Sequence, residues 1–339
     1  MKVFVYKHQS QIMDYLYAPY ILIEDYNQIS LTSEEKEKAK DIFNDLKEVK
    51  KILHPFKKRI EKYYHNKNHK IYIINLYLNL LNEGKDPKTM EDLFEMVMEL
   101  SNSILKEVFL YTVFDKKINI ESSEDLIQMI EDEIEDEKEK WNIYWSYYHL
   151  PKVIEEILSL YQEILPKYIP YYKTYEREID DMIDNLDIYE LFKDSAFNIN
   201  QFSNKHVRVF VLSSLNPRIL ASIKEDQTNP NIDLFLFSRA HLFMNRSLQD
   251  KEELLFMAMK ALSDPIRYDV LKLMIQTNLK KKEIAEKLSI TPANVSFHIQ
   301  KLINTNLLSI SVDEDFMKYQ LNKLLLKNVI QKIQDEFEL

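Results

Sequence analysis

The chain contains no cysteine and a single glycine, Gly84, in 339 residues. Without cysteine there are no disulfides, no thiolate zinc ligands and no cysteine nucleophile. Phosphate-cradling loops and the dinucleotide-binding turn each need several glycines to bring backbone N–H groups close to a ligand. Nucleotide chemistry of those kinds is excluded. No apolar run reaches the ~18 residues that a membrane helix needs. The opening stretch "MKVFVYKHQSQIMDYLY" lacks the apolar core and cleavage site of a secretion signal. These absences predict a cytoplasmic chain with no membrane contact. No nucleophile–base pair stands out either, so the reading is of a non-enzyme without a cofactor.

What is present points to a folded protein. Hydrophobic residues make up 45% and charged ones 29%, and the length allows two or three domains. Charge is unevenly spread. The whole chain carries −10, but residues 251–339 hold 13 basic against 12 acidic residues, a net of +1. Residues 251–306 alone reach +3, with 9 basic against 6 acidic. A mildly basic island therefore follows a strongly acidic first part.

Residues 1–245 read as a large helical domain with a small β-sheet. "LTSEEKEKAKDIFNDLKEVKKIL" opens with Thr32 and Glu35 at capping-box spacing and continues in one apolar stripe. Thr89 caps a second predicted helix, with Leu93, Val97, Leu100, Ile104 and Val108 inside. A third is expected from about Ser122 to Tyr148, burying Ile127, Ile130 and Ile134. Two more are expected near 152–165 and 172–192, separated by Pro166 and Pro170. "KVFVYK", "HVRVFVLSS" and "IDLFLFS" read as strands of one sheet. A linker is placed near 244–253.

Residues 252–339 follow a different grammar. In "SDPIRYDVLKLM" and "ITPANVSFHIQKLI", Asp264 and Thr291 cap helices that start on Pro265 and Pro292. Between them "KKEIAEKLSI" forms a short helix burying Ile284, Ala285 and Leu288. Val295, Ile299 and Leu302 hold the next helix down, leaving Asn294, Ser296 or Phe297, His298 and Lys301 to face a partner. "LLSISVDEDFMKYQLN" alternates across a polar tip as a β-hairpin would. A last helix sets Leu326, Val329, Ile330, Ile333 and Phe337 on one side.

This arrangement resembles the winged-helix repressors of the ArsR family, over residues 251–326. The resemblance rests on "ALSDPIRYDVLKLM", "EIAEKLSITPANVSFHIQKL" and the hairpin ending in "YQLN". It implies a homodimer joined through outer helices, with one recognition helix per subunit in the major groove of double-stranded DNA. Lys280, Lys281 and Lys282 would then neutralise phosphates, and Thr291, Asn294, Ser296 and His298 would face the groove, with Lys301 beyond. Lys280 and Lys282 stand where metal-sensing relatives carry cysteines, so the resemblance implies no thiolate metal sensing. Pro292 and Phe297 stand where relatives often offer Gln and Arg. The tip Asp313-Glu314-Asp315 is acidic and is expected to stay off phosphate.

Two further groups complete the inventory. His65 and His69 share a helix face, but no carboxylate between them makes a zinc-protease motif, and no metal site is assigned. Trp141, Tyr144, Trp145 and Tyr148 share a helical face, as core or as the wall of a ligand pocket. The expectation is a DNA-binding transcriptional repressor, modulated through residues 1–245 by a small-molecule or peptide effector. The alternative is a protein-interaction module whose winged helix has left DNA.

Overall fold

The computed structural model describes every residue except 24–30, 64–70, 115–116, 135, 194–198, 200–204, 218, 224–230, 245–247, 277–278, 280 and 314–315. The three stretches expected as strands meet in one sheet. Strands β1 (Lys2–Val5), β2 (His206–Leu212) and β4 (Asn231–Phe237) run parallel, and a fourth, β3 (Ile219–Ile223), lies antiparallel on β4. The order is β1-β2-β4-β3. Strand β2 is buried along almost its whole length. That explains its continuous apolar run, because strands covered on both faces lose the alternation of half-exposed ones.

One polar pair interrupts this core. Arg208 on β2 and Asp233 on β4, register partners, are 5% and 1% exposed. The guanidinium donates from Nε and Nη2 to the two carboxylate oxygens at 2.5 and 2.9 Å, and from Nη1 to Asn82 Oδ1 at 2.7 Å. Charge and hydrogen-bonding capacity are therefore both met inside the sheet.

Helices surround the sheet. The first, α1 (Lys7–Tyr17), ties itself to β2 through Ser10, whose Oγ accepts from the Val211 N–H at 2.9 Å. Asp14 does the same further along, accepting from the Ser213 N–H, the Asn216 amide and the Tyr168 hydroxyl. The longest helix, α2 (Leu150–Asp184), runs unbroken through Pro166 and Pro170, where two helices were expected. Each internal proline costs about 3 kcal/mol in an isolated helix. Here both prolines lie on the exposed face, so the carbonyls they leave unbonded, on Gln162 and Pro166, also face solvent. On the opposite side Tyr161, Ile164, Leu165, Tyr168, Tyr172 and Tyr175 are buried. That burial, about 1.5–3 kcal/mol for each large side chain, outweighs the local penalty.

The helix expected from Ser122 to Tyr148 is instead a hairpin of two, Ser123–Glu133 and Glu137–Tyr148, with Ile134 extended between them. A straight helix would stack like charges four residues apart, Asp132 on Asp136 and Glu133 on Glu137. The break lets Asp136 cap the second helix and Lys140 reach both Glu131 and Glu137. It also changes the buried set: Leu126 and Ile130 are inside, and Ile127 is exposed. The Thr89 cap is present, but its helix stops at Met98 and a new one starts at Asn102.

The carboxyl-terminal elements are α3 (Leu248–Leu262), α4 (Pro265–Gln276), α5 (Lys281–Leu288), α6 (Pro292–Asn304), the hairpin β5 (Leu308–Asp313) and β6 (Phe316–Leu321), and α7 (Lys323–Phe337). Buried apolar side chains gather in two clusters, one from Ile12 to Ala240 and one from Ala258 to Val329. The fold is mainly α, a helical first part with a small sheet followed by a helix-turn-helix region. No described helix is long and apolar enough to cross a membrane.

Candidate nucleic-acid interface

The local signals at α4 and α6 act as read. Asp264 Oδ1 accepts from the Arg267 N–H at 2.9 Å and Thr291 Oγ1 from the Asn294 N–H at 3.1 Å, each filling an orphan donor at a helix start. Many helices end on a residue at positive φ, usually glycine. This chain places Ser289 and Asn306 there, at φ 54° and 57°. In both, the following N–H reaches back to a carbonyl in the last turn, Ile290 to Ala285 and Leu307 to Leu302. The first of these turns joins α5 to α6, and the second leads from α6 into the hairpin.

Ile284, Ala285, Val295, Ile299 and Leu302 are all buried at the α4–α5–α6 junction. The small Ala285 sits between crossing helices. Rotation of about 100° per residue then fixes what α6 presents outward. The centre of its uncovered side is Phe297, 46% exposed, with Gln300 beside it. Asn294 and half-buried Lys301 flank it on one side. Ser296 lies on the other flank, about 160° round the helix from Asn294. The Lys301 ammonium stands over the Phe297 ring at 5.5 Å.

The expected groove-facing set is thus only partly brought together. Thr291, Asn294 and Ser296 are exposed, but His298 is only 9% exposed. It sits on the inner edge of α6, facing Asp264 and Arg267 rather than outward. Its Nδ1 has no hydrogen-bond partner among the described residues. Gln300 was not singled out by composition or motif, although helical rotation from Val295 and Ile299 places it. Lys281 and Lys282 are exposed in the first turn of α5, where desolvation still lowers the Lys281 pKa. Lys280, Glu314, Asp315 and the pair His65 and His69 lie outside the described residues.

Burial pushes the His298 imidazole below its ordinary pKa of 6.5; Asp264 opposes this and Arg267 adds to it. A group whose folded pKa is depressed takes its proton first in the unfolded chain. Its contribution to stability is therefore present above the unfolded value and lost as pH falls. The melting temperature is expected to drop further between about pH 7.5 and 5.5 in the native protein than in His298→Gln. Equal drops in differential scanning fluorimetry would remove His298 as the cause.

The aromatic set lies at the surface. Trp141 and Tyr148 are exposed and Tyr144 and Trp145 half-buried, forming a surface ladder on Glu137–Tyr148. A shallow depression of about 380 Å³, lined by Phe94, Met98 and Leu158 among others, does not include them. Among the described residues no three histidine or carboxylate side chains converge on a metal position.

Helix α5 and the Thr291-capped α6, packed at small Ala285 and followed by a hairpin and an outer helix, make a winged helix-turn-helix, a class that reads duplex DNA. Residues 264–309, from the α4 cap into β5, match the family model for bacterial regulatory protein, arsR family. Over those residues the chain carries an ArsR-family helix-turn-helix domain, of the kind that DNA-binding regulators use. No curated protein matches the chain.

Proposed function

We propose that the protein is a homodimeric ArsR-type repressor, with residues 252–339 binding operator DNA and residues 1–245 modulating it, rather than an enzyme or a thiolate metal sensor. The observation that carries this reading is the outward face of α6, with Asn294, Phe297, Gln300 and Lys301 presented on a helix fixed by Val295, Ile299 and Leu302. Asn and Gln can pair with adenine edges, and Phe297 can meet a thymine methyl. Lys281 and Lys282 supply phosphate contacts at the start of α5.

Adjacent carboxylates near the start of α3 support the modulation. Glu253 accepts from the Ser33 N–H at 2.9 Å, which belongs to the first part, while Glu252 pairs with Lys332 of α7 at 2.7 Å. Helix α3 is thereby tied to both parts. A small-molecule or peptide effector that moves the Ser33 helix would move α3, and with it the spacing of two recognition helices.

Fluorescence anisotropy with duplex from the protein's own promoter region tests the reading. Two lysines per protomer predict a slope of about −3 to −4 in log affinity against log salt. Asn294→Ala is expected to weaken specific binding roughly 5- to 150-fold and random-duplex binding hardly at all. Equal losses on both, or no salt dependence, would remove the proposal. A second reading, a winged helix that binds protein, is favoured by Phe297 at the centre of the outward face. It predicts no preference for any duplex.

A further inference from the structure

The ladder on Glu137–Tyr148 is an unusual thing to leave in water. Trp141 is 64% exposed and Tyr148 43%. Trp141 stacks on Tyr144 with centroids 6.1 Å apart, and Tyr144 meets Tyr148 at 5.1 Å. Tryptophan and tyrosine are the residue types that dominate binding energy at protein interfaces, because one rigid ring brings a large apolar area.

Other rings of this neighbourhood already hold cations from the chain itself. Lys62 and Lys152 stand over Trp145 at 5.1 and 5.8 Å, and its ring also stacks on His149 at 4.6 Å. Lys106 stands over Tyr147 at 4.6 Å and reaches Tyr148 at 5.8 Å. Trp141 and Tyr144 have no such cation among the described residues.

The surroundings are acidic. The antiparallel partner helix Ser123–Glu133 carries exposed Glu124, Glu131, Asp132 and Glu133, and Glu137 opens the ladder's own helix. Glu124 lies close to the far end of the ladder: after desolvation and Tyr144, it is a cause of the raised Tyr148 pKa. Glu131 lies at the near end, paired with Lys140. Lys140 is shared by Glu131 and Glu137, so one ammonium faces two carboxylates. A carboxylate-lined ridge of π faces repels phosphate and attracts guanidinium or ammonium groups, whose charge the ring quadrupole and the acids both favour.

We propose that the Trp141–Tyr144–Tyr148 ladder, with Glu124 and Glu137, is a docking surface for an arginine- or lysine-rich segment of a partner protein. Trp141 and Tyr148 are roughly 10 Å apart along the helix axis, the span of three residues of an extended peptide. A cation of such a segment meets the Trp141 and Tyr144 faces, because Lys106 already approaches the Tyr148 end.

The test uses the full chain. Its two tryptophans, Trp141 and Trp145, both lie on this helix, so Trp145→Phe leaves Trp141 as the sole indole reporter. Titration with hexa-arginine should give a saturable change in Trp141 emission. Labelled hexa-arginine should bind about tenfold more weakly to Trp141→Ala, the loss of one desolvated cation–π contact with its apolar area. Glu124→Gln should weaken it as well. Trp141 is mostly exposed, so its removal leaves the melting temperature in place, and that is measured alongside. An unchanged Trp141 emission, or unchanged peptide affinity in Trp141→Ala, overturns the proposal. So does a larger response to oligothymidine, which assigns the ladder to nucleic acid. Emission that varies with protein concentration alone would assign it to a second copy and overturn it equally.

Discussion

Replacing Asp233 with alanine is expected to destabilise the protein by about 3–5 kcal/mol, the cost of leaving a buried charge without its partner. Arg208, 5% exposed, would keep only the neutral Asn82 oxygen. The guanidinium cannot escape by losing its proton, because its pKa lies above any accessible pH. The urea midpoint of the first part, followed by far-ultraviolet circular dichroism, reads the effect directly. The double replacement Arg208→Met with Asp233→Leu should recover most of the loss, since an apolar pair of similar volume avoids desolvating charge altogether. By contrast Glu61→Ala, which breaks the exposed pair with Lys57, should cost less than about 0.5 kcal/mol. A small effect for Asp233→Ala would mean that solvent reaches Arg208, and that the sheet is less closed than its burial implies.

What could be read from the sequence divides by the range of the interactions concerned. Caps are decided within four residues, so Thr32, Thr89, Asp264 and Thr291 could be placed from local chemistry, and all four accept the expected backbone N–H. Strands β1, β2 and β4 declared themselves by apolar runs. Strand β3 did not, because "ILASI" takes its extended form from pairing on β4 rather than from its own propensity. The prolines of α2 obey the local rule in isolation, but the buried tyrosines around them overrule it. The break at Ile134 is legible in hindsight from the run of like charges, which periodicity alone ignores.

At the candidate interface the same division holds. Val295, Ile299 and Leu302 follow from helical period, and the helix they bury is the one expected. The outward set was chosen by residue chemistry, and there the angle decides differently. His298 is turned inward by its place next to Leu302 at the edge of the buried stripe, Ser296 falls on the far flank, and Gln300 takes the centre with Phe297. The family match begins at residue 264, so the first part has no such guide. Its polar and aromatic surface had to be built from coordinates.

Charging the outer helix is expected to have the largest effect on DNA binding. Of the stripe Leu326, Val329, Ile330, Ile333 and Phe337, expected on one side of α7, only Val329 is fully buried. Ile330 is 49% exposed and Phe337 70%, and Phe256 on the neighbouring α3 is 50% exposed, with the Lys332 ammonium 5.0 Å from its ring centre. Two helices thus present one apolar patch bordered by the ion pairs of Lys332 with Glu252 and Glu336. The homodimer proposed above would bury such a patch against itself, apolar centre on apolar centre and charged rim on charged rim. Ile330→Glu with Phe337→Glu places four carboxylates in that centre per dimer while touching little of the protomer's own core, so each subunit should still fold. Analytical ultracentrifugation should then show a monomer. Operator affinity should fall by about 10²–10⁴, because the second half-site contact is no longer intramolecular. Binding to random duplex, where each subunit holds phosphates alone, should fall far less. A variant that stays dimeric would place the two-fold axis on another surface. A monomer that keeps full operator affinity would mean that one α6 suffices, and the half-site geometry proposed for this protein would be lost.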